Sequence, residues 1–160
     1  MNSFFQNIDE SEYQKLKKAV PLITVLIAGA DGKFSKDEME WAEKITRIRS
    51  YKMDDELLGF YQDVGKTYTR DLEDILNNYP AGVKERTQMI SKELEELNSI
   101  FPKLDDRVAY KTYKSFISFA KHVAKASGGV LGFFSVNKHE AALMNLPMIT
   151  PVVYHPEEEE

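Results

Sequence analysis

The chain contains no cysteine. Disulfides, thiolate metal sites and a cysteine nucleophile are therefore excluded, and a reducing compartment is favoured. Histidine is nearly as scarce. His122, His139 and His155 are the only three, and no two of them stand three or four residues apart, so the helical His pair of zinc sites is absent. Each reads as a surface or helix-end residue. Long apolar runs are missing too. The longest, residues 20–30, holds 11 residues interrupted only by Thr24, whereas a membrane span needs about 20. The amino terminus carries acids and has no basic segment followed by an apolar one, so it does not read as a signal peptide. These absences predict a cytoplasmic protein without a transmembrane segment. No G-x-S-x-G, phosphate-loop or dinucleotide-binding glycine pattern occurs, and no nucleophile–base grouping is visible. The expectation is a protein that is not an enzyme.

An excess of one charge is also lacking. The net charge is −5, but Glu157, Glu158, Glu159 and Glu160 supply four of those units, leaving −1 for residues 1–156. A near-neutral body has no electrostatic footprint for nucleic acid. The four glutamates read as a solvated end. What remains is ordinary: 160 residues, 42% hydrophobic and 29% charged. That length fits one domain with one core, here residues 1–150, followed by an irregular acidic tail, 151–160.

The apolar periodicity is helical nearly throughout, which predicts an all-α, compact single-domain bundle of about six to seven helices. A first helix starts after Asp9 or Ser11, with Pro21 forcing a kink or a break. Residues 22–27 are apolar on nearly every side and belong to a buried central helix. Ser35 with Glu38 three residues on forms a capping box for the next helix, whose stripe is Met39, Ala42, Ile45 and Ile48 or Arg49. Leu57, Tyr61, Val64, Tyr68, Leu72, Ile75 and Tyr79 mark a third, which Gly59 and Gly65 bend or split. A fourth spans about 83–100, a fifth 105–127, and a short last one 137–146. The many aromatics stand at helical spacing and read as core.

One short motif carries more. Ala28-Gly29-Ala30-Asp31-Gly32-Lys33-Phe34-Ser35-Lys36-Asp37-Glu38 joins a buried helix to a capped one through a tight turn. It echoes Ala124-Lys125-Ala126-Ser127-Gly128 and then Val136-Asn137-Lys138-His139-Glu140. The second copy holds a six-residue insertion at 129–134, and together they read as a weak internal duplication of a helix-turn-helix unit. The first copy matches the later half of a calcium loop, with Asp31, Gly32, Phe34, Ser35 and Glu38 at the right spacing. Ile27 and Gly29 stand at the two earlier ligand positions and offer no side-chain oxygen. Asp31 and Glu38 are thus either structural (turn and cap) or hard-oxygen ligands completed by carboxylates from elsewhere, with Ser35 and Asp37 as lesser candidates. Such ligands suit Ca²⁺, Mg²⁺ or Mn²⁺. The insertion places Val130, Leu131, Phe133 and Phe134 among glycines. It is either a partner- or membrane-binding surface or a loop folded back over the core.

Ala30-Asp31-Gly32, Phe34 and Glu38 after an apolar helix, with Ser127-Gly128-Gly129 through Gly132, Ser135 and Glu140 as a second unit, resemble the TerB-like, tellurite-resistance-associated family. The resemblance covers most of residues 10–150. It implies a compact helical domain with no known catalytic activity, a link to stress resistance, and an acidic divalent-metal site. Ser127 stands where the first unit has Asp31, which departs from a two-lobed acidic site. No thiol is present to reduce a tellurium oxyanion.

Overall fold

The computed structural model describes residues 3–30, 36–127 and 138–154; the side chains of Glu38, Ser127, Lys138, His139 and Glu140 also lie outside the description. Among the described residues there is no strand, and the α-helices are α1 (Glu10–Ala28), α2 (Lys36–Arg49), α3 (Asp55–Asn78), α4 (Val83–Glu95), α5 (Asp106–Ser127) and α6 (Lys138–Leu143). Short 3₁₀ turns at Ser3–Phe5, Glu96–Ser99 and Phe101–Lys103 fill the connections. The all-α bundle expected from periodicity is what forms.

Local chemistry sets the start of α1. The Glu12 amide donates to Asp9 Oδ1 at 2.8 Å, and the Asp9 amide donates to Glu12 Oε1 at 3.1 Å. This reciprocal pair satisfies two amides that a helix start leaves free. The break expected at Pro21 does not occur: α1 runs unbroken to Ala28 with Pro21 inside it. Pro costs about 3 kcal/mol in a helix interior. Against that, Ala19 through Ala28 are all buried, and full burial of one Leu or Ile side chain contributes about 1.5–3 kcal/mol. Packing on every side therefore outweighs the lost hydrogen bond. The one polar side chain of that run, Thr24, donates to the Val20 carbonyl at 3.1 Å and hydrogen-bonds the Tyr68 hydroxyl at 2.8 Å.

Likewise, Gly59 and Gly65 do not split α3, which is one helix of 24 residues. Its stripe of Leu57, Tyr61, Val64, Tyr68, Leu72 and Ile75 is buried as the spacing predicts, and Phe60 joins it. The fourth helix is shorter than expected. It tightens into 3₁₀ turns from Glu96 onward, before Pro102, whose ring disfavours α conformation at Phe101. The tightening turns Leu97, Ile100, Phe101 and Leu104 inward. The Asp105 carboxylate accepts from the amides of Arg107 and Val108 and starts α5.

Cross-links show the direction of each helix. The first turn of α1 meets the approach to α5 through Glu12 and Lys103, 2.6 Å apart. The start of α3 meets the start of α5 through Glu56–Arg107 at 2.8 Å and Asp54–Lys111 at 2.8 Å. Further along, Tyr13 donates to Asp63, and Tyr61 donates to Ser115. Helices α1, α3 and α5 therefore run in one general sense. Helix α4 runs against them, since Arg86 reaches Gly29 while Lys18 pairs with Glu93 and Lys15 with Glu96. Helix α2 is also reversed, with Arg49 bonding Tyr61 and the Ser50 carbonyl accepting from Gln62. Aromatics fill the junction. Phe5 stacks on Phe60 with ring centres 5.4 Å apart, and Tyr13, Tyr61 and Phe116 pack around Phe60. Residues 151–154 are irregular, yet Val152 packs on the core and Tyr154 lies beside Tyr110. Residues 155–160, with the four glutamates, lie outside the described residues.

Candidate functional site

The turn singled out by its sequence leaves from the end of the central helix. The Gly29 amide closes α1 onto the Val25 carbonyl at 2.9 Å, and the Ala30 amide donates to Ile27 at 3.3 Å. Ala30 is itself buried. The Gly29 backbone is right-handed, with φ −95°. Asp31 and Ser35 lie outside the described residues, and so does the Glu38 side chain. Among the described residues α2 spans Lys36–Arg49. Asp37, in the first turn of α2, is exposed. Glu40 faces solvent and pairs loosely with Lys36 at 3.9 Å. Among the described residues, no group of three or more His, Asp or Glu side chains converges as a metal site.

A residue that sequence reasoning missed stands at this turn. Arg86 of α4 is buried, and its guanidinium donates to the Gly29 carbonyl at 3.0 Å and to the Ala81 carbonyl at 3.3 Å. The end of a helix carries free carbonyls and a partial negative charge, which a guanidinium satisfies. Burial pulls the Arg86 pKa down from its ordinary value, but a guanidinium remains charged at neutral pH. A fixed positive charge therefore sits two residues before Asp31. No local signal marks Arg86. It lies 57 residues from Gly29 in the chain, and only the reversed packing of α4 brings it there.

The parallel sense of α1 and α5 has a second consequence. Both helices end at the same end of the bundle, so the Ala30 turn and the segment after Ser127 leave from one side. The four apolar candidates of that segment, Val130, Leu131, Phe133 and Phe134, lie outside the described residues. Helix α6, which follows, packs back against α1.

Another buried arginine lies midway along the bundle. Arg49, the last residue of α2, donates to the Tyr61 hydroxyl at 3.0 Å, the Ser115 carbonyl at 2.8 Å and the Ser118 hydroxyl at 2.6 Å. Its guanidinium also faces the rings of Tyr61 and Phe119. It forms no ion pair with a carboxylate among the described residues. His122 lies nearby on α5, and burial together with the charges of Arg49 and Lys125 holds its pKa below the usual value. His122 is exposed, in keeping with the surface role read for it. This cluster joins α2, α3 and α5.

Among the described residues no helix is long and apolar enough to cross a membrane. No family model matches the chain, and no curated protein or solved structure matches it significantly.

Proposed function

We propose that the chain is a non-enzymatic, TerB-like binding module of the cytoplasm, acting in stress response of the tellurite-resistance-associated kind. Its working end is the one where α1 and α5 both terminate. The observation that carries this reading is their shared direction. Helix α1, buried from Ala19 to Ala28, ends just before the Asp31 turn in the chain, and α5 ends at the same end of the bundle shortly before residues 129–134. In the first form of the proposal, Asp31 and Glu38 hold a divalent cation of the Ca²⁺, Mg²⁺ or Mn²⁺ class. The ion would tie α1 to α2 across the turn, with the remaining oxygens supplied by backbone and water.

Arg86 favours a second form. A guanidinium already bonded to Gly29 opposes a nearby cation and offers Asp31 a counter-charge from within the protein. The turn then serves as a rigid frame, and Val130, Leu131, Phe133 and Phe134 dock a protein partner without metal.

Thermal unfolding after chelation, repeated with each ion, separates the two. A ligand present at about 100 times its Kd stabilises the native state by about 2.7 kcal/mol, which raises Tm by about 5–10 °C in a chain of this size. The metal form requires such a rise with one ion and its loss in Asp31→Ala. No rise with any ion at millimolar concentration retires the metal and leaves the apolar segment. For that segment, Phe133→Ser with Phe134→Ser costs little stability and removes a partner. A loss of about 3 kcal/mol or more would instead make it part of the core.

A further inference from the structure

The last described residues form a strap over the corner between the Phe101–Lys103 turn and α5. Leu146 and Ile149 are buried and root it in the core. Asn98 then grips its backbone with both ends of one amide. Nδ2 donates to the Met148 carbonyl at 3.1 Å, and Oδ1 accepts from the Thr150 amide at 2.8 Å. At the far end the Tyr154 ring lies against Tyr110, with centres 5.8 Å apart. Held at both ends, residues 150–153 arch over the corner and leave a cleft of about 210 Å³ beneath them. Phe101, Pro102 and Ala109 line it together with Pro151, Val152 and Val153. An apolar cavity of about 150 Å³ is enough to take up benzene, so this space admits one compact hydrocarbon group.

Among the described residues, one charged side chain lines the cleft, that of Asp106. It is exposed and makes no hydrogen bond or ion pair with another described side chain. The neighbouring cations are engaged elsewhere, Lys103 with Glu12 and Arg107 with Glu56. Asp105 is used at the start of α5. The amide of Asn98 is occupied by the strap. Among the described residues, a mainly apolar lining with the one Asp106 carboxylate therefore selects by both shape and sign.

We propose that this cleft binds a small organic monocation, an amine with one compact aromatic or branched hydrocarbon body. The body lies between Phe101 and Val152, and the ammonium meets the Asp106 carboxylate. The site is independent of the Asp31 turn.

The test titrates the full chain, followed by backbone amide NMR, with phenethylamine, 2-phenylethanol and phenylacetate. These share one body and differ in charge. The expected result is amide shifts clustered at Asn98, Ala109 and Val152. Phenethylamine should bind about fivefold more tightly than the alcohol, and phenylacetate more weakly than either. Fivefold corresponds to about 1 kcal/mol, the size of a charge pair at contact in water. Asp106→Asn, a change at an exposed position, should remove the amine's advantage while the shifts stay at the same residues. Equal affinity for amine and alcohol, an advantage that survives Asp106→Asn, or no clustered shifts at millimolar ligand would each overturn the proposal.

Discussion

Replacing Arg49 tests how the bundle tolerates a buried charge without a counter-ion. Arg49 is only 7% exposed. It is held by three hydrogen bonds to neutral oxygens, by two aromatic faces and by the negative end of α2. In Arg49→Met those three bonds go, yet the acceptors are not orphaned. The Tyr61 hydroxyl still donates to Ser115 Oγ at 2.8 Å, and the Ser115 carbonyl still accepts from Ser118 at 3.4 Å. The desolvated charge goes as well. Lost bonds to a charged donor contribute about 1.5–3 kcal/mol each, but the relief of burying an ion is worth several kcal/mol. The balance is a loss of about 1–2 kcal/mol, near the value of a single bond. Arg49→Lys keeps the charge and loses the fork. One compact, strongly hydrated ammonium cannot reach three oxygens on separate residues and rest on two rings. Its expected loss is about 3 kcal/mol, the low end for an uncompensated buried charge. The chemically conservative change is thus the more damaging one. Urea unfolding followed by far-ultraviolet circular dichroism gives both values by linear extrapolation. A lysine variant within about 0.5 kcal/mol of the parent, or a methionine variant less stable than the lysine variant, would refute the reasoning.

Two further perturbations address the helices and the acid limit of stability. Gly65 lies exposed in the interior of α3, and a β-carbon added there meets no atom within 4 Å. Gly65→Ala should therefore stabilise by about 0.5–1 kcal/mol, read as a higher urea midpoint with an unchanged slope. Burial pushes the Asp63 carboxyl up, but the hydroxyl of Tyr13 and the charges of Lys66 and Lys17 pull it further down, so its pKa is below the ordinary value. A depressed carboxyl pKa contributes stability that is present above the unfolded value of about 4 and is lost as pH falls through the folded value. Tyr13→Phe removes the 2.6 Å bond to Asp63 and should cost about 1 kcal/mol near neutral pH. The gap to the parent should then narrow below about pH 3. A gap that is the same at both pH values would count against the Asp63 link.

Features that rest on neighbours in the chain were legible in the sequence. The Asp9–Glu12 cap involves residues three apart, so it could be read without knowing the fold. The buried stripe of α3 follows from helical spacing alone, and the all-α class follows from many such stripes. The Asp31–Glu38 motif was visible for the same reason, although its side-chain arrangement lies outside the described residues. What the tertiary structure decided is long-range. Pro21 remains inside a continuous helix because the residues around it are buried on every face. Gly59 and Gly65 likewise stay within one continuous α3. Arg86 looks like an ordinary surface charge in the sequence, and Arg49 shares the last stripe position of α2 with Ile48. They are buried because their oxygen partners arrive from 12 to 69 residues away for Arg49, and from 57 away for the Arg86–Gly29 bond. The common direction of α1 and α5, and the strap that closes a cleft over Asp106, are likewise properties of how the helices pack. Spacing along a chain records which face of a helix is apolar, but not which distant group that face will meet.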